Sequence, residues 1–237
     1  MESRYRSEDA PADRLALRCY TSRLLGAEPS LVLHGGGNTS VKGTTRDFFG
    51  DSVEVCWVKG SGWDLATIEP AGVPAVKMTA RQRMADMATL SDVDMVREQR
   101  AALLDPSAPD PSIEAILHAI IPFAFVDHTH ADAVITLTNA PGGEARIRTL
   151  YGDRALVIPY VMPGFVLAKE IRARTRDVDW KKLEGIVLLH HGLFTFADDA
   201  KTSYERTISM VNEAEGALRK AGAWDAPVHA AAPGVVD

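Results

Sequence analysis

The feature that most constrains the fold is an alternation of amphipathic and β-branched segments along a chain of 237 residues. Residues 125–136, 155–161 and 186–196 are rich in β-branched and aromatic side chains, a composition that favours strands. Residues 199–221 repeat apolar side chains at helical spacing, which predicts an amphipathic helix. Several helices around a mixed sheet are therefore expected, which is an α/β or α+β class.

Shorter patterns predict the remaining elements, because glycine often follows a helix and proline often stops one. They predict helices at 12–25 with Gly26 as the C-cap, at 81–89 and from Ser112 to Pro122, and strands at 31–33 and 53–58. The side chains expected inward on the last helix are Tyr204, Ile208, Val211 and Leu218. We expect one domain over 1–237, with its core at 12–221 and flexible tails at 1–11 and 225–237.

Charge and composition narrow the functional classes. Hydrophobic residues make up 46% of the chain and charged residues 24%, which is ordinary for a globular protein. A net charge of −6 argues against a nucleic-acid partner, which needs a basic surface. Two cysteines are too few for a disulfide scaffold, and no apolar run resembles a signal peptide or a membrane span. We therefore expect a cytoplasmic protein with no membrane partner.

The sharpest local motif is His128-Thr-His130, within the apolar segment 125–136. Because alternate residues of a strand point to the same face, both imidazoles should project to one side. Two imidazoles supply half of a tetrahedral zinc site. A hydrogen-bonded or surface pair is the alternative, since histidine is also often structural.

A second histidine pair, His190-His191, precedes Gly192 within the predicted strand 186–196. One of the two should face the same side as the first pair, and the other should point away. A glycine at this place lets the backbone turn or approach closely. Two surface histidines at a strand end are the alternative interpretation.

A carboxylate opens the predicted helix that follows Pro111. Glu114 falls in the first turn of that helix, where the helix dipole alone would favour a negative charge. If the helix start faces the histidines, Glu114 becomes a fourth metal ligand or a general base beside the metal.

Two glycine-rich stretches, 34–40 and 58–62, each follow a predicted strand. Backbone N–H groups in such loops can form anion-binding nests. Neither stretch matches a P-loop or a dinucleotide fingerprint, and tight turns are the alternative. The side chains that would add donors to these nests are Asn38, Ser40, Lys59 and Ser61.

Taken in order, these motifs resemble those of the class II aldolase/adducin family, which includes L-fuculose-phosphate and L-rhamnulose-phosphate aldolases. The matching motifs stand here as Gly37-Asn-Thr-Ser40, Ser61-Gly62, Ser112-Ile-Glu114, His128-Thr-His130 and His190-His-Gly192. The stretches 34–41 and 58–65 are similar to the aldolase half of bifunctional rhamnulose-phosphate aldolase/dehydrogenase proteins.

The resemblance implies a three-layer α/β/α fold with a mixed, largely antiparallel central sheet, and a homotetramer with its active site at a subunit interface. The implied metal ligands, for Zn²⁺ or another divalent cation, are His128, His130 and His191, and the implied acid/base is Glu114. The positions implied to hold a substrate phosphate are Asn38, Ser61, Gly62 and Ser112, with Ser40 and Lys59 as further substrate-binding candidates. The implied reaction is reversible cleavage of a ketose, such as a rhamnulose- or fuculose-type ketose 1-phosphate, through a metal-bound enediolate.

Two positions depart from the family pattern. Ile113 stands where a second serine is common, and Gly35 stands where a hydroxyl residue is common. With fewer hydroxyl donors, Lys59 could hold the phosphate by charge, or the substrate carries a carboxylate or no anion. A pentulose-phosphate 4-epimerase, a thio-sugar phosphate dehydratase and a non-catalytic adducin-like assembly module are the alternatives. Epimerases of this kind often carry Asp at the position of Glu114, and adducin-like modules tend to lack the histidines.

Overall fold

A seven-stranded sheet forms the middle layer of the protein, in a computed structural model that describes residues 1–224. The strands are β1 Asn38–Arg46, β2 Ser52–Val58, β3 Ala75–Lys77, β4 Phe125–Thr129, β5 Ala155–Ile158, β6 Gly185–Leu188 and β7 Gly192–Ala197. They lie in the order β3-β2-β1-β4-β7-β6-β5, with β5 and β6 parallel and the other neighbours antiparallel. The expected mixed, largely antiparallel sheet is confirmed.

Helices cover both faces of this sheet. They are α1 Arg14–Gly26, α2 Met78–Asp86, α3 Asp92–Ala101, α4 Ala115–Ile120, α5 Asp132–Asn139, α6 Gly143–Tyr151, α7 Phe165–Arg174 and α8 Ala200–Lys220. On one face α5, α6 and α8 bury a core that includes Val187, whereas on the other α2, α4 and α7 bury a core that includes Ile186 and Leu188. The side chains of alternate β6 residues thus pack into the cores on opposite faces of the sheet, and the three-layer α/β/α class is confirmed.

The last helix agrees closely with its prediction. Asp199 caps α8 by accepting a hydrogen bond from the Thr202 N–H, as a helix N-cap residue does. The four side chains expected inward, Tyr204, Ile208, Val211 and Leu218, are all buried.

Two segments predicted as single strands are each divided. Residues 125–136 form β4 and then turn into α5, and residues 186–196 form the hairpin of β6 and β7. Both predictions are wrong in this respect, because a short apolar run does not distinguish a buried helix from a buried strand. At the hairpin, His190 has a φ of 60°, and this left-handed residue reverses the chain between β6 and β7.

Other predicted boundaries also shift. Residues 31–33 lie in a loop, and the strand begins only at Asn38. Gly26 is the last residue of α1 rather than a left-handed C-cap; a Cβ there would collide with the backbone of Ala66. Helix α4 begins at Ala115 with Glu114 as its N-cap, so Ser112 lies before the helix.

The first residues of the chain differ from the loose segment expected at 1–11. The Arg4 N–H donates to the Tyr204 hydroxyl, and the Arg6 N–H donates to the Tyr20 hydroxyl. The Tyr5 ring packs edge-on against Tyr20, so this segment lies against α1 and α8. The tail expected at 225–237 lies outside the described residues. Within residues 1–224, no helix is long and apolar enough to cross a bilayer.

Candidate active site

The candidate site lies where the central strand of the sheet ends. Strand β4 runs between β1 and β7, and His128 is paired across the sheet with Asn38 on one side and Phe194 on the other. His130 follows directly after β4, and the tight turn from β6 to β7 places His191 beside it. The antiparallel pairing of β4 with β7 thus brings together side chains that are far apart in the sequence.

Three histidines converge at this point. One ring nitrogen each from His128, His130 and His191 lies within 4.8 Å of the other two. The Nε2 atoms of His128 and His130 are 3.1 Å apart. The sequence-predicted metal ligands are therefore brought together, although His191 arrives on a turn rather than on a strand.

The protonation of His128 follows from its hydrogen bond. Its Nδ1 lies 3.2 Å from the carbonyl oxygen of Leu193, which only accepts, so Nδ1 carries the proton. The Nε2 lone pair of His128 therefore faces the other histidines. The ring itself stacks on Phe194 at a centroid distance of 4.1 Å, which fixes its plane.

Burial keeps these imidazoles neutral. It lowers the pKa of His128 well below the usual value, and the neighbouring His130 lowers it further. Burial likewise lowers the pKa of His130, and together with His128 it lowers the pKa of His191 to about 4. Neutral imidazole is the form that binds a metal ion, so no proton needs to leave these rings at neutral pH.

Glu114 lies beside the histidine cluster. Its Oε2 lies 3.3 Å from His128 Nε2, and its Oε1 lies 3.3 Å from His191 Nε2. Oε1 is buried and accepts no hydrogen bond. Three neutral nitrogens that converge, with a carboxylate oxygen that accepts no hydrogen bond beside two of them, are the donor types that Zn²⁺ or a similar divalent cation takes. The residues present therefore fit a metal ion.

The other oxygen of Glu114 is held by the protein. Asn38 Nδ2 donates to Glu114 Oε2 at 2.8 Å, and the backbone N–H of Glu114 donates to Ser112 Oγ at 3.3 Å. Asn38 is 5% exposed, and its carboxamide is used by Glu114 and by His118. In this structure Asn38 donates to the carboxylate, and the role in phosphate binding that the family resemblance implies for it stays a prediction.

Four further predicted residues lie on two chain segments that run side by side. The Ser61 N–H donates to the carbonyl oxygen of Asp110, and the Ser112 N–H donates to that of Lys59. Lys59 is almost fully buried, and its Nζ donates to the Gly35 carbonyl oxygen at 2.9 Å. Both glycine-rich stretches and the start of α4 therefore meet, and Gly62, with a φ of +82°, turns the exposed end of the second stretch.

Two candidates point elsewhere. Ser40 has no exposed surface, and its hydroxyl contacts His118 Nδ1 at 2.7 Å, so it lies behind the site instead of facing a substrate. His190 turns away from the other histidines, with Nδ1 2.7 Å from Asn139 Oδ1. The expectation that one member of the His190–His191 pair faces the site and the other does not agrees with this geometry.

Sequence reasoning missed His118. This side chain is fully buried in α4, one helical turn after Glu114, and connects Asn38 to Ser40. The four-residue spacing between Glu114 and His118 could have indicated this role, because residues i and i+4 of a helix share a face.

A second buried network lies on the opposite face of β4. Asp127 Oδ1 is 2.6 Å from Arg18 Nη2, and neither side chain has exposed surface. Ser203 Oγ donates to the other oxygen of Asp127. This ion pair connects α1, β4 and α8 directly behind the histidine cluster.

Comparisons with known proteins agree with this architecture. The family described as "Class II Aldolase and Adducin N-terminal domain" matches residues 16–218. The structure of the N-terminal class II aldolase domain of a conserved protein from Thermoplasma acidophilum is 39% identical, with a TM-score of 0.85 over 92% of this chain and 100% of that chain.

More distant structures share the fold. A sugar-phosphate aldolase from Thermotoga maritima is 15% identical, with a TM-score of 0.62 over 88% of this chain and 95% of that chain. The l-fuculose-1-phosphate aldolase from Thermus thermophilus is 14% identical, with a TM-score of 0.57 over 90% of this chain and 98% of that chain.

One curated relative is much longer. The chain is 39% identical over 196 residues to the uncharacterized oxidoreductase YuxG of Bacillus subtilis (strain 168). The match covers 83% of this chain, and the chain spans 28% of the length of that relative.

Proposed function

Because the chain belongs to the class II aldolase and adducin N-terminal domain family, we propose that it is a divalent-metal-dependent aldehyde-lyase. The reaction is the reversible aldol cleavage of a ketose, of the ketose 1-phosphate type such as a rhamnulose- or fuculose-type sugar. The observation that carries the proposal is the convergence of three neutral histidines on one ionisable carboxyl group.

The histidines His128, His130 and His191 would hold Zn²⁺ or another divalent cation. Such a cation, when bound, acts as a Lewis acid that polarises a carbonyl group and stabilises the negative charge that develops on C–C cleavage. Since these three ligands leave a tetrahedral position open, substrate oxygens have room to approach.

Glu114 is the proton carrier in this proposal. Asn38 occupies Oε2, whereas Oε1 has no hydrogen-bond partner, so Oε1 is the oxygen that takes and returns a proton. Glu114 is 4% exposed, which keeps bulk water from competing for that proton. A general acid/base at this position serves aldol cleavage and its reversal equally.

The segments around Lys59, Ser61, Gly62 and Ser112 are proposed to hold the anionic end of the substrate. Lys59 Nζ is fixed on the glycine-rich loop by the Gly35 carbonyl oxygen, which keeps its charge close to the loop. Ser61 and Gly62 are exposed and next to it, where backbone N–H groups and a hydroxyl group can contact a phosphate.

A homotetramer with the site at a subunit interface is part of the proposal. Several large apolar side chains are exposed on the segments that flank the site: Leu33 (59%), Ile113 (41%), Tyr160 (52%) and Met162 (67%). Exposed apolar side chains on segments next to a site are candidates for an interaction surface. Sedimentation of the purified protein tests this part, and a monomer at micromolar concentration would contradict it.

A substrate panel tests the function. Purified zinc-loaded protein is incubated with L-rhamnulose 1-phosphate, L-fuculose 1-phosphate and L-ribulose 5-phosphate, and released triose phosphate is measured by a coupled NADH assay. We expect triose phosphate from at least one ketose 1-phosphate, and none from the Glu114→Gln variant. Inversion at C4 without cleavage would favour the epimerase, and a zinc-loaded protein that turns over no sugar would favour a non-catalytic module.

A further inference from the structure

Behind Glu114 a row of buried polar side chains leads away from the histidine cluster. Asn38 donates to Glu114, Asn38 Oδ1 contacts His118 Nε2, and His118 Nδ1 contacts Ser40 Oγ at 2.7 Å. Ser40 and His118 have no exposed surface, and Asn38 is 5% exposed. Water therefore has little access to these groups.

Every hydrogen bond in this row has only one direction. A carboxylate only accepts, so Asn38 presents its NH₂ group to Glu114 and its oxygen to His118. Because that oxygen also only accepts, His118 Nε2 must carry the proton. Burial lowers the pKa of His118 well below its usual value, so the ring is neutral and its Nδ1 accepts from the Ser40 hydroxyl. All donors thus point towards Glu114.

We propose that His118 is a positioning residue that fixes the orientation of the Asn38 carboxamide and, through it, the carboxylate of Glu114. If the carboxamide flipped, its oxygen would face the carboxylate and its NH₂ group would face a protonated nitrogen, so both bonds would be lost. Because leaving buried polar groups without hydrogen bonds is costly, the flip is disfavoured as long as His118 is in place.

As a consequence, the two carboxylate oxygens of Glu114 have different roles. Oε2 accepts from Asn38, whereas Oε1 faces His191 and accepts no hydrogen bond. Without His118, the carboxamide would rotate and Glu114 would lose its fixed orientation. This inference rests on the proposed function for its catalytic meaning, but the hydrogen-bond row itself does not depend on that function.

The row is held by rigid elements at both ends. Ser40 is on β1, in register with Val58 on one side and Val126 on the other. His118 is on α4, and its ring lies edge-on to Phe194 at a centroid distance of 5.5 Å. The direction of the bonds is therefore set by the packing of α4 on the sheet.

The chain is well suited to a direct test by NMR, because its three asparagines, Asn38, Asn139 and Asn212, give few side-chain amide signals. Protein labelled with ¹⁵N-asparagine is studied metal-free and zinc-loaded, as wild type and as His118→Phe, His118→Gln and Ser40→Ala. In His118→Phe we expect the NH₂ protons of Asn38 to exchange with water about tenfold faster, the factor for one lost hydrogen bond. Gln can donate to Asn38 Oδ1, so His118→Gln should restore slow exchange, and Ser40→Ala should show a smaller increase.

Asn139 and Asn212 serve as internal controls, since neither contacts this row. If His118→Phe does not fold, the Ser40→Ala variant decides, because it removes the donor to His118 Nδ1. The inference would be overturned if the Asn38 NH₂ protons exchanged at the wild-type rate in folded His118→Phe or in folded Ser40→Ala.

Turnover provides the second readout. On the ketose 1-phosphate that the wild type cleaves, we expect kcat of His118→Phe to fall about 10–100-fold with KM little changed, and His118→Gln to recover most of that loss. A loss that Gln does not rescue would contradict a positioning role. The NMR measurement needs no substrate, so it tests the positioning role of His118 independently of the proposed function. A wild-type protein that cleaves no sugar would overturn only the proposed function.

Discussion

Gly192 packs directly on the imidazole of His128. A Cβ atom at position 192 would lie 3.1 Å from His128 Cε1 and 3.2 Å from His130 Cδ2, and it would also collide with the Thr129 carbonyl oxygen. The glycine at the start of β7 is therefore required first by the Thr129 carbonyl oxygen, and the two rings leave little further room for a side chain.

The first prediction concerns this contact. We expect Gly192→Ala to displace the two rings and to weaken zinc binding about 10–100-fold, the range seen when the support of a metal ligand is disturbed. Competition with a chromogenic chelator measures the affinity. Gly216→Ala is the control, because a Cβ there has nothing within 4 Å and should leave zinc binding unchanged. Equal zinc affinities for the two variants would contradict the prediction.

The second prediction separates metal binding from proton transfer. His130→Ala should lose both bound zinc and turnover, since a proposed ligand is removed. Glu114→Gln should keep zinc and lose turnover, because an amide at this position cannot carry the proton. Metal analysis and the triose phosphate assay measure the two effects. His190→Ala, which changes the outward-facing member of the pair, is the matched control; full activity with stoichiometric zinc in His130→Ala would refute the ligand assignment.

The third prediction concerns the ion pair behind the site. Arg18→Leu leaves Asp127 charged and buried without its partner, which costs about 3–5 kcal/mol of unfolding free energy. The double variant Arg18→Leu/Asp127→Leu should recover part of this loss. Urea unfolding followed by circular dichroism measures both. Arg148→Leu, which breaks the exposed pair with Glu144, should change stability by less than about 1 kcal/mol, and a similar cost for the two arginine variants would argue against the prediction.

The fourth prediction is a pH dependence of the metal-free protein. The pKa of His191 is lowered to about 4 by burial and by His128, against 6.5 in an unfolded chain. Between these values the unfolded state binds more protons, so the stability contributed by this group is lost as the pH falls from about 6.5 to 4. Thermal melts in EDTA from pH 7 to pH 4 should show this decline. His191→Asn should reduce it, and identical profiles for the variant and the wild type would contradict the assignment.

The sequence predicted some parts of the site because they depend on local geometry. Strand alternation places His128 on one face, and the predicted strand at 53–58 lies within β2. The position of His191 does not follow from its own segment, since it depends on a turn at a left-handed His190 and on the pairing of β7 with β4. Likewise, the second half of 125–136 is helical because it packs against α8, which is a tertiary contact that local composition does not encode.

His118 shows a different limit. Its spacing from Glu114 was visible in the sequence, but its role depends on Asn38 and Ser40, which reach it from β1. These contacts depend on how α4 lies against the sheet at β1, which the chain alone does not reveal.

The hairpin of β6 and β7 contributes His191 from its turn, while β4 and the residue after it contribute His128 and His130. A bound cation would thus cross-link the hairpin to the middle of the sheet. We expect the backbone amides of the hairpin to become more protected from deuterium when zinc is added, and those of the distant edge strand β3 to stay the same. Metal loading would then report on whether the β6–β7 hairpin has docked on the middle of the sheet, which makes it a marker of completed folding in this part of the protein.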